Sequence, residues 1–350
     1  MTDMLQAFFH AWERRLASAT SDRVVRPFDW GLDWIPQNGH RSDAAAAEIV
    51  GRWVDEVTAD TDAFFTPPPT NEYTLRGDLL TFPSAFTTPH PENNTVYGRY
   101  FPSTGARGVS DGARGFSRAA VLVLPQWNSD PNGHVGLCKL LAWSGMSALR
   151  LTLPYHDRRM PPELHRADYI VSANVVRTLQ VCRQAVLDAR RAIAWLAAQG
   201  YDRIGILGTS LGSCLALLTA AHEPLIRAEA LNHISPHFAD VVWRGLSTRH
   251  VREGLDGHVE LDLLRALWRP ISPRWYLERL RDRRTLLVYA RYDLSFPVDL
   301  SEDLVQAFRD LDVPHEVAVL RCGHYSTGKT PFKFVDGFVL TRFLKKALSF

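Results

Sequence analysis

The chain has 350 residues, 46% of them hydrophobic and 22% charged, with a formal net charge of +2. That length and apolar content are enough to bury a large core, and the near-neutral balance carries no electrostatic footprint of a nucleic-acid partner. The four cysteines, Cys138, Cys182, Cys214 and Cys322, include no Cys-x-x-Cys pair, so neither a zinc site nor a disulfide framework is expected.

The opening stretch, MTDMLQAFFHAWERRLASA, carries Asp3, His10 and Glu13 through its apolar part. It lacks a basic n-region and does not read as a signal peptide, so a cytoplasmic chain is expected. No apolar run reaches the roughly 18 residues of a spanning helix. Residues 4–19 are predicted helical, because Leu5, Phe9, Trp12 and Leu16 share one face. Residues 42–60 give a second helix, and Pro67-Pro68-Pro69 closes the region. Residues 1–70 are therefore expected to form a helical extension packed on the main body. Its Trp30, Trp34 and Trp53 could serve a partner or a homodimer contact.

From Tyr73 the texture changes to short strands. YTLRGDLLTF and TVYGRYF are expected to pair antiparallel at a sheet edge. Between them Asn93-Asn94-Thr95 matches a glycosylation sequon and is read as a polar turn. GARGVSDGARG is a surface turn that lacks the Lys-Ser/Thr of a phosphate-binding loop. A fully apolar strand follows, AAVLVLP, then a helix, HVGLCKLLAWSG, and a strand, SALRLTLP. A long helix is expected over 167–199, with Val175, Leu179, Cys182, Val186, Ala189, Ile193 and Leu196 as one buried stripe. RIGILG, RAEALNHI, RTLLVYA and HEVAVL complete the strands. Strands alternating with helices imply an α/β fold with a mostly parallel, doubly wound sheet covered on both faces.

One strand ends in Gly208-Thr209-Ser210-Leu211-Gly212 and a helix begins directly after it. A Gly-x-Ser-x-Gly in a strand–turn–helix context holds a serine exposed on a tight turn, at a helix N-terminus that stabilises developing negative charge. A serine needs a base, and His324 stands just past the last strand. Asp293, just past RTLLVYA, would orient that base. The chain order Ser210, Asp293, His324 puts all three at the carboxyl ends of parallel strands. Asp312 competes for the acid role but precedes the last strand. A tetrahedral intermediate needs backbone donors: the N–H of Leu211, and that of Gln126 or Trp127 in the loop after VLVLP, with Trp127 favoured.

Over residues 71–350 the sequence resembles the alpha/beta-hydrolase superfamily, on VLVLPQWN, LRLTLPYHDRR, DARRAIAWLAAQGYDRIGILGTSLGS, LVYARYD and RCGH. It is similar to the dienelactone-hydrolase-like and acyl-peptidase-like branches, whose pattern before the elbow strand Asp188 and Leu196 match. The superfamily's usual His-Gly reads Pro125-Gln126 here, so the resemblance puts Trp127 at the oxyanion position and Gln126 in place of a glycine. PYHDRR resembles a Pro-x-His-Gly-x-Arg loop with Asp157 replacing the glycine; its His156 could line the pocket or make a structural hydrogen bond.

Residues 235–279 form an insertion between two strands, longer than the dozen or so residues of an ordinary crossover. Two or three helices are expected there as a lid over the catalytic rim, with Trp243 and Trp268 as pocket candidates. The reading is a serine hydrolase cleaving a carboxylic ester, thioester or amide of a small or apolar acyl substrate through an acyl-enzyme, with no cofactor. A metal is not expected, because His233 and His237 have no carboxylate at ligand spacing. The rival readings are a noncatalytic binding protein on the same fold, and an acyltransferase or lyase using the same residues.

Overall fold

The computed structural model describes residues 2–20, 22–36, 45–103 and 118–349. The expected turn GARGVSDGARG and residues 42–44 of the second predicted helix lie outside them. The strands are β1 (Thr74–Arg76), β2 (Leu79–Pro83), β3 (Thr95–Phe101), β4 (Ala119–Leu124), β5 (Ser147–Leu151), β6 (Arg203–Thr209), β7 (Ile226–Asn232), β8 (Arg284–Ala290) and β9 (His315–Leu320). They form one sheet in the order β1-β2-β3-β5-β4-β6-β7-β8-β9. The joins from β1 to β5 are antiparallel, and those from β5 across to β9 are parallel.

The patterning explains this layout. β4 and β5 are buried along their whole length, as strands covered by helices on both faces must be. β2 and β3 alternate buried and half-buried residues, which suits the antiparallel edge. The run YTLRGDLLTF is not one strand but a hairpin: Gly77, at φ 63°, turns it back on itself between β1 and β2.

The helices are α1 (Thr2–Ala17), α2 (Ala46–Ala59), α3 (Thr61–Phe64), α4 (Val135–Trp143), α5 (Val175–Ala198), α6 (Leu211–His222), α7 (Phe238–Arg244), α8 (Arg249–Leu255), α9 (Leu261–Leu267), α10 (Val298–Asp310), α11 (His324–Thr327) and α12 (Phe332–Ala347). α5 carries the predicted buried stripe but starts later than expected. Asn174 caps it, its side chain accepting from Arg177 N at 2.9 Å, so 167–174 stays irregular. The N-terminal segment is strapped to this cap: Asp29 N donates to Ala173 O and Val175 N to Asp29 O. Trp30, Trp34 and Trp53 pack against the larger core cluster, which occupies them inside this chain. Asn93 of the sequon is fully buried and hydrogen-bonded to Gln184 and to Tyr155 N. Among the described residues no helix is long and apolar enough to cross a membrane.

Candidate active site

Ser210 sits between β6 and α6 with φ 57° and ψ −121°, a conformation that L residues rarely adopt. Surrounding contacts hold it there. Ser210 N donates to Asn232 O at 2.8 Å, and the Ser213 hydroxyl donates to Ser210 O or His233 O, at 2.6 and 2.7 Å. Gly212 allows the elbow to press on the loop after β4: a Cβ there would lie 2.2 Å from Leu124 O. The close approach brings the Gln126–Trp127 loop against the start of α6. Among the described residues the amides of Gln126, Trp127 and Leu211 donate to no protein acceptor, whereas Asn128 N donates to His156 Nε2 at 2.9 Å.

Asp293 and His324 meet directly, His324 Nδ1 lying 2.9 Å from Asp293 Oδ2. The other carboxylate oxygen accepts from Ser295 N and Phe296 N, which fixes the acid in place. Burial pushes the Asp293 carboxyl up, but the charge on His324 and the hydrogen bonds from two imidazoles outweigh it and hold the group well below the usual carboxylate range. For His324, burial works against the cation, and the charge and hydrogen bond of Asp293 outweigh it, so its pKa is raised. The Phe296 ring stacks on the imidazole, centroids 5.3 Å apart. Among the described residues no hydrogen bond joins Ser210 Oγ to His324; such contacts commonly tighten only when substrate binds. Asp312, the competing acid, is exposed.

Two residues of this cluster were not anticipated. His233, at the end of β7, also points Nδ1 at Asp293 Oδ2, at 2.9 Å, so one oxygen serves two rings. This supplies the carboxylate that the sequence did not place beside His233. His233, Asp293 and His324 are side chains of metal-ligand type within reach of one another. Both rings turn the same nitrogen, Nδ1, toward a single oxygen, so the contacts among them are hydrogen bonds. The second is Glu13 of α1, which is fully buried. Its carboxylate accepts from Tyr325 N at 2.8 Å and Ser326 N at 2.9 Å, the free donors of the first turn after His324. Gly323 is the residue that fits beside it, since a Cβ there would lie 2.4 Å from Glu13 Cδ. A charged residue in the apolar stripe of the first predicted helix was the only signal for Glu13.

An apolar cleft opens at Ser210, with Trp127, Leu211, Phe238, Val241, Val242 and Phe296 on its wall. The insertion thus contributes through α7, but not through the two predicted tryptophans. Trp268 is fully buried behind Phe238, its indole N–H donating to Val175 O at 3.0 Å. Trp243 packs under Arg252. Trp268 is thus part of the main core, and Trp243, half-buried, packs against it. His156 is off the wall as well: Nδ1 donates to Pro154 O while Nε2 accepts from Asn128 N, and burial pushes its pKa down to about 4. It braces the loop after β4.

No family model matches the chain, and no curated protein matches it in sequence. Solved structures do match. An acetyl xylan esterase from Paenibacillus sp. R4 superposes with a TM-score of 0.59 at 17% identity, over 90% of this chain and 98% of that one. Acylaminoacyl peptidase from Pyrococcus horikoshii gives 0.58 at 14% identity, over 73% of this chain. This is the alpha/beta-hydrolase fold. Acetyl xylan esterase 1 from Thermoanaerobacterium sp. JW/SL YS485 matches it over 95% of this chain and 98% of its own, at 14% identity and a TM-score of 0.56. The chain spans only 40% of the length of the Pyrococcus peptidase. In this chain Ser210, Asp293 and His324 stand in the segments that follow β6, β8 and β9.

Proposed function

We propose that the protein is a serine hydrolase that cleaves a carboxylic ester, thioester or amide of a small or apolar acyl group. The observation that carries this reading is the strained backbone of Ser210, held between β6 and α6 at an apolar cleft. Ser210 Oγ attacks the acyl carbon as its proton passes to His324 Nε2. Asp293 keeps the opposite nitrogen protonated and stabilises the imidazolium. The N–H groups of Trp127 and Leu211 receive the oxyanion. His324 then gives the proton to the leaving oxygen, sulfur or nitrogen, and an acyl-enzyme remains. Water, deprotonated by the same histidine, hydrolyses it and frees Ser210. Helix α7 acts as a lid that excludes water from the acyl group.

The test is a panel of aryl esters of increasing acyl length, with thioesters and peptides beside it, on wild type and Ser210→Ala. Turnover should be seen for short or medium apolar acyl groups in wild type and be lost in the variant. A folded wild type that turns over no member of the panel, or a variant that matches it, contradicts the proposal.

A further inference from the structure

Beside the cleft lies a group of polar side chains that acyl transfer does not use. The His250 ring stacks on Trp127, 5.7 Å between centroids and 6° between planes, and both its nitrogens are buried without a hydrogen-bond partner. The Arg166 guanidinium lies over the same indole at 5.4 Å; its Nε is buried without a hydrogen bond, with Asp168 Oδ1 3.7 Å away. Arg23 reaches across from the N-terminal segment, Nη2 donating to Tyr325 Oη at 3.1 Å, the residue next to His324; its Nε too is buried without a partner. Burial, aided by the charges of Arg166 and Arg23, pushes the pKa of His250 down to about 4, so the ring is neutral and offers one donor and one acceptor.

The nearby aspartates are taken by the other two arginines. Arg26 pairs with Asp168 at 3.0 Å, and Arg166 pairs with Asp22 at 3.0 Å. Arg23 has no carboxylate partner among the described residues. Glu13, which also faces Tyr325, is occupied by two backbone donors. A buried donor left unpaired is destabilising, and a guanidinium is built to take a carboxylate in a fork.

We propose that the substrate carries a carboxylate remote from its scissile bond, and that Arg23 and Arg166, beside the His250 ring, hold it next to the cleft at Trp127. The subsite rests on the hydrolase reading and adds the substrate class to it.

Two isosteric ester pairs test the subsite. On the acyl side, 4-nitrophenyl hydrogen adipate is compared with 4-nitrophenyl 6-methylheptanoate. On the alcohol side, the butyrate ester of 4-hydroxyphenylacetate is compared with that of 4-isobutylphenol. In wild type, kcat/KM for the anionic member of one pair should exceed its neutral partner by about tenfold or more. In Arg23→Gln and Arg166→Gln that ratio should fall towards one, the neutral ester correcting for any disturbance of His324. A ratio near or below one in both pairs, or a ratio that survives both substitutions, overturns the subsite. Calorimetric binding of the four intact esters to Ser210→Ala separates the two proposals. Charge-dependent binding without wild-type turnover overturns the hydrolase alone, and turnover without charge preference overturns the subsite alone.

Discussion

Removing Glu13 should damage catalysis from the far end of the chain. In Glu13→Ala, Tyr325 N and Ser326 N lose the acceptors they reach at 2.8 and 2.9 Å, in a place where the side chain is fully buried. Two buried donors left unpaired cost about 1–3 kcal/mol each. Water entering the space left by the side chain offsets part of that, so the expected loss is about 2–4 kcal/mol, read as a lower urea midpoint. The turn that carries His324 then loosens, and a misplacement of about 1 Å at a reacting group costs roughly 100-fold in kcat/KM. A second readout separates positioning from bulk stability. The Glu13 charge raises the pKa of His324, so its loss moves the acid limb of the pH profile downward. Glu13→Gln, which keeps an acceptor oxygen but no charge, should recover much of the stability and retain the displaced limb. Wild-type kcat/KM with an unmoved limb in a destabilised Glu13→Ala protein would refute the coupling between α1 and the histidine.

Asp293→Asn should lower kcat by about 10⁴-fold, because the imidazole loses the carboxylate that sets its tautomer; Asp312→Asn, exposed on the surface, should leave steady-state kinetics on the same ester unchanged. The kcat/KM of wild type should rise with pH through one limb centred above about 6.5, since Asp293 raises the pKa of His324. His156→Ala should not remove that limb, because both nitrogens of His156 are already bonded. In unfolding titrations the same pair contributes fully between about pH 4 and 6.5; its share fades at higher pH as the raised His324 deprotonates, and at lower pH as the depressed Asp293 protonates. Asp188→Ala should cost about 3–5 kcal/mol in urea unfolding, since it leaves the Arg159 charge, now 2.8 Å away, buried and unpaired.

How far the sequence could be read follows from which interactions are local. The elbow was legible because a strand, a tight turn and a helix are adjacent in the chain, and each leaves its own composition. Asp293 and His324 were legible as ends of strands in the right order. The second imidazole on Asp293 was not, because register between β7 and β8 decides that His233 and Asp293 meet, and register leaves no trace in either segment alone. Glu13 left only a charge in an apolar stripe, and its role was hidden for a related reason: its partners are backbone groups more than three hundred residues away, and backbone donors carry no residue signature. The tryptophans misled because size and apolarity predict burial without saying whether the ring faces a cleft or a core. Trp268 went to the core, where Val175 O could take its indole proton.

The central claim is that Ser210 is a competent nucleophile, and an active-site-directed fluorophosphonate tests it most directly. After incubation, intact-mass and peptide-mapping mass spectrometry should find one phosphonyl adduct per chain, on the peptide containing Ser210, and none in a Ser210→Ala protein with an unchanged circular dichroism spectrum. Labelling of that variant at the wild-type rate, or a folded wild type that takes no label, would contradict the account.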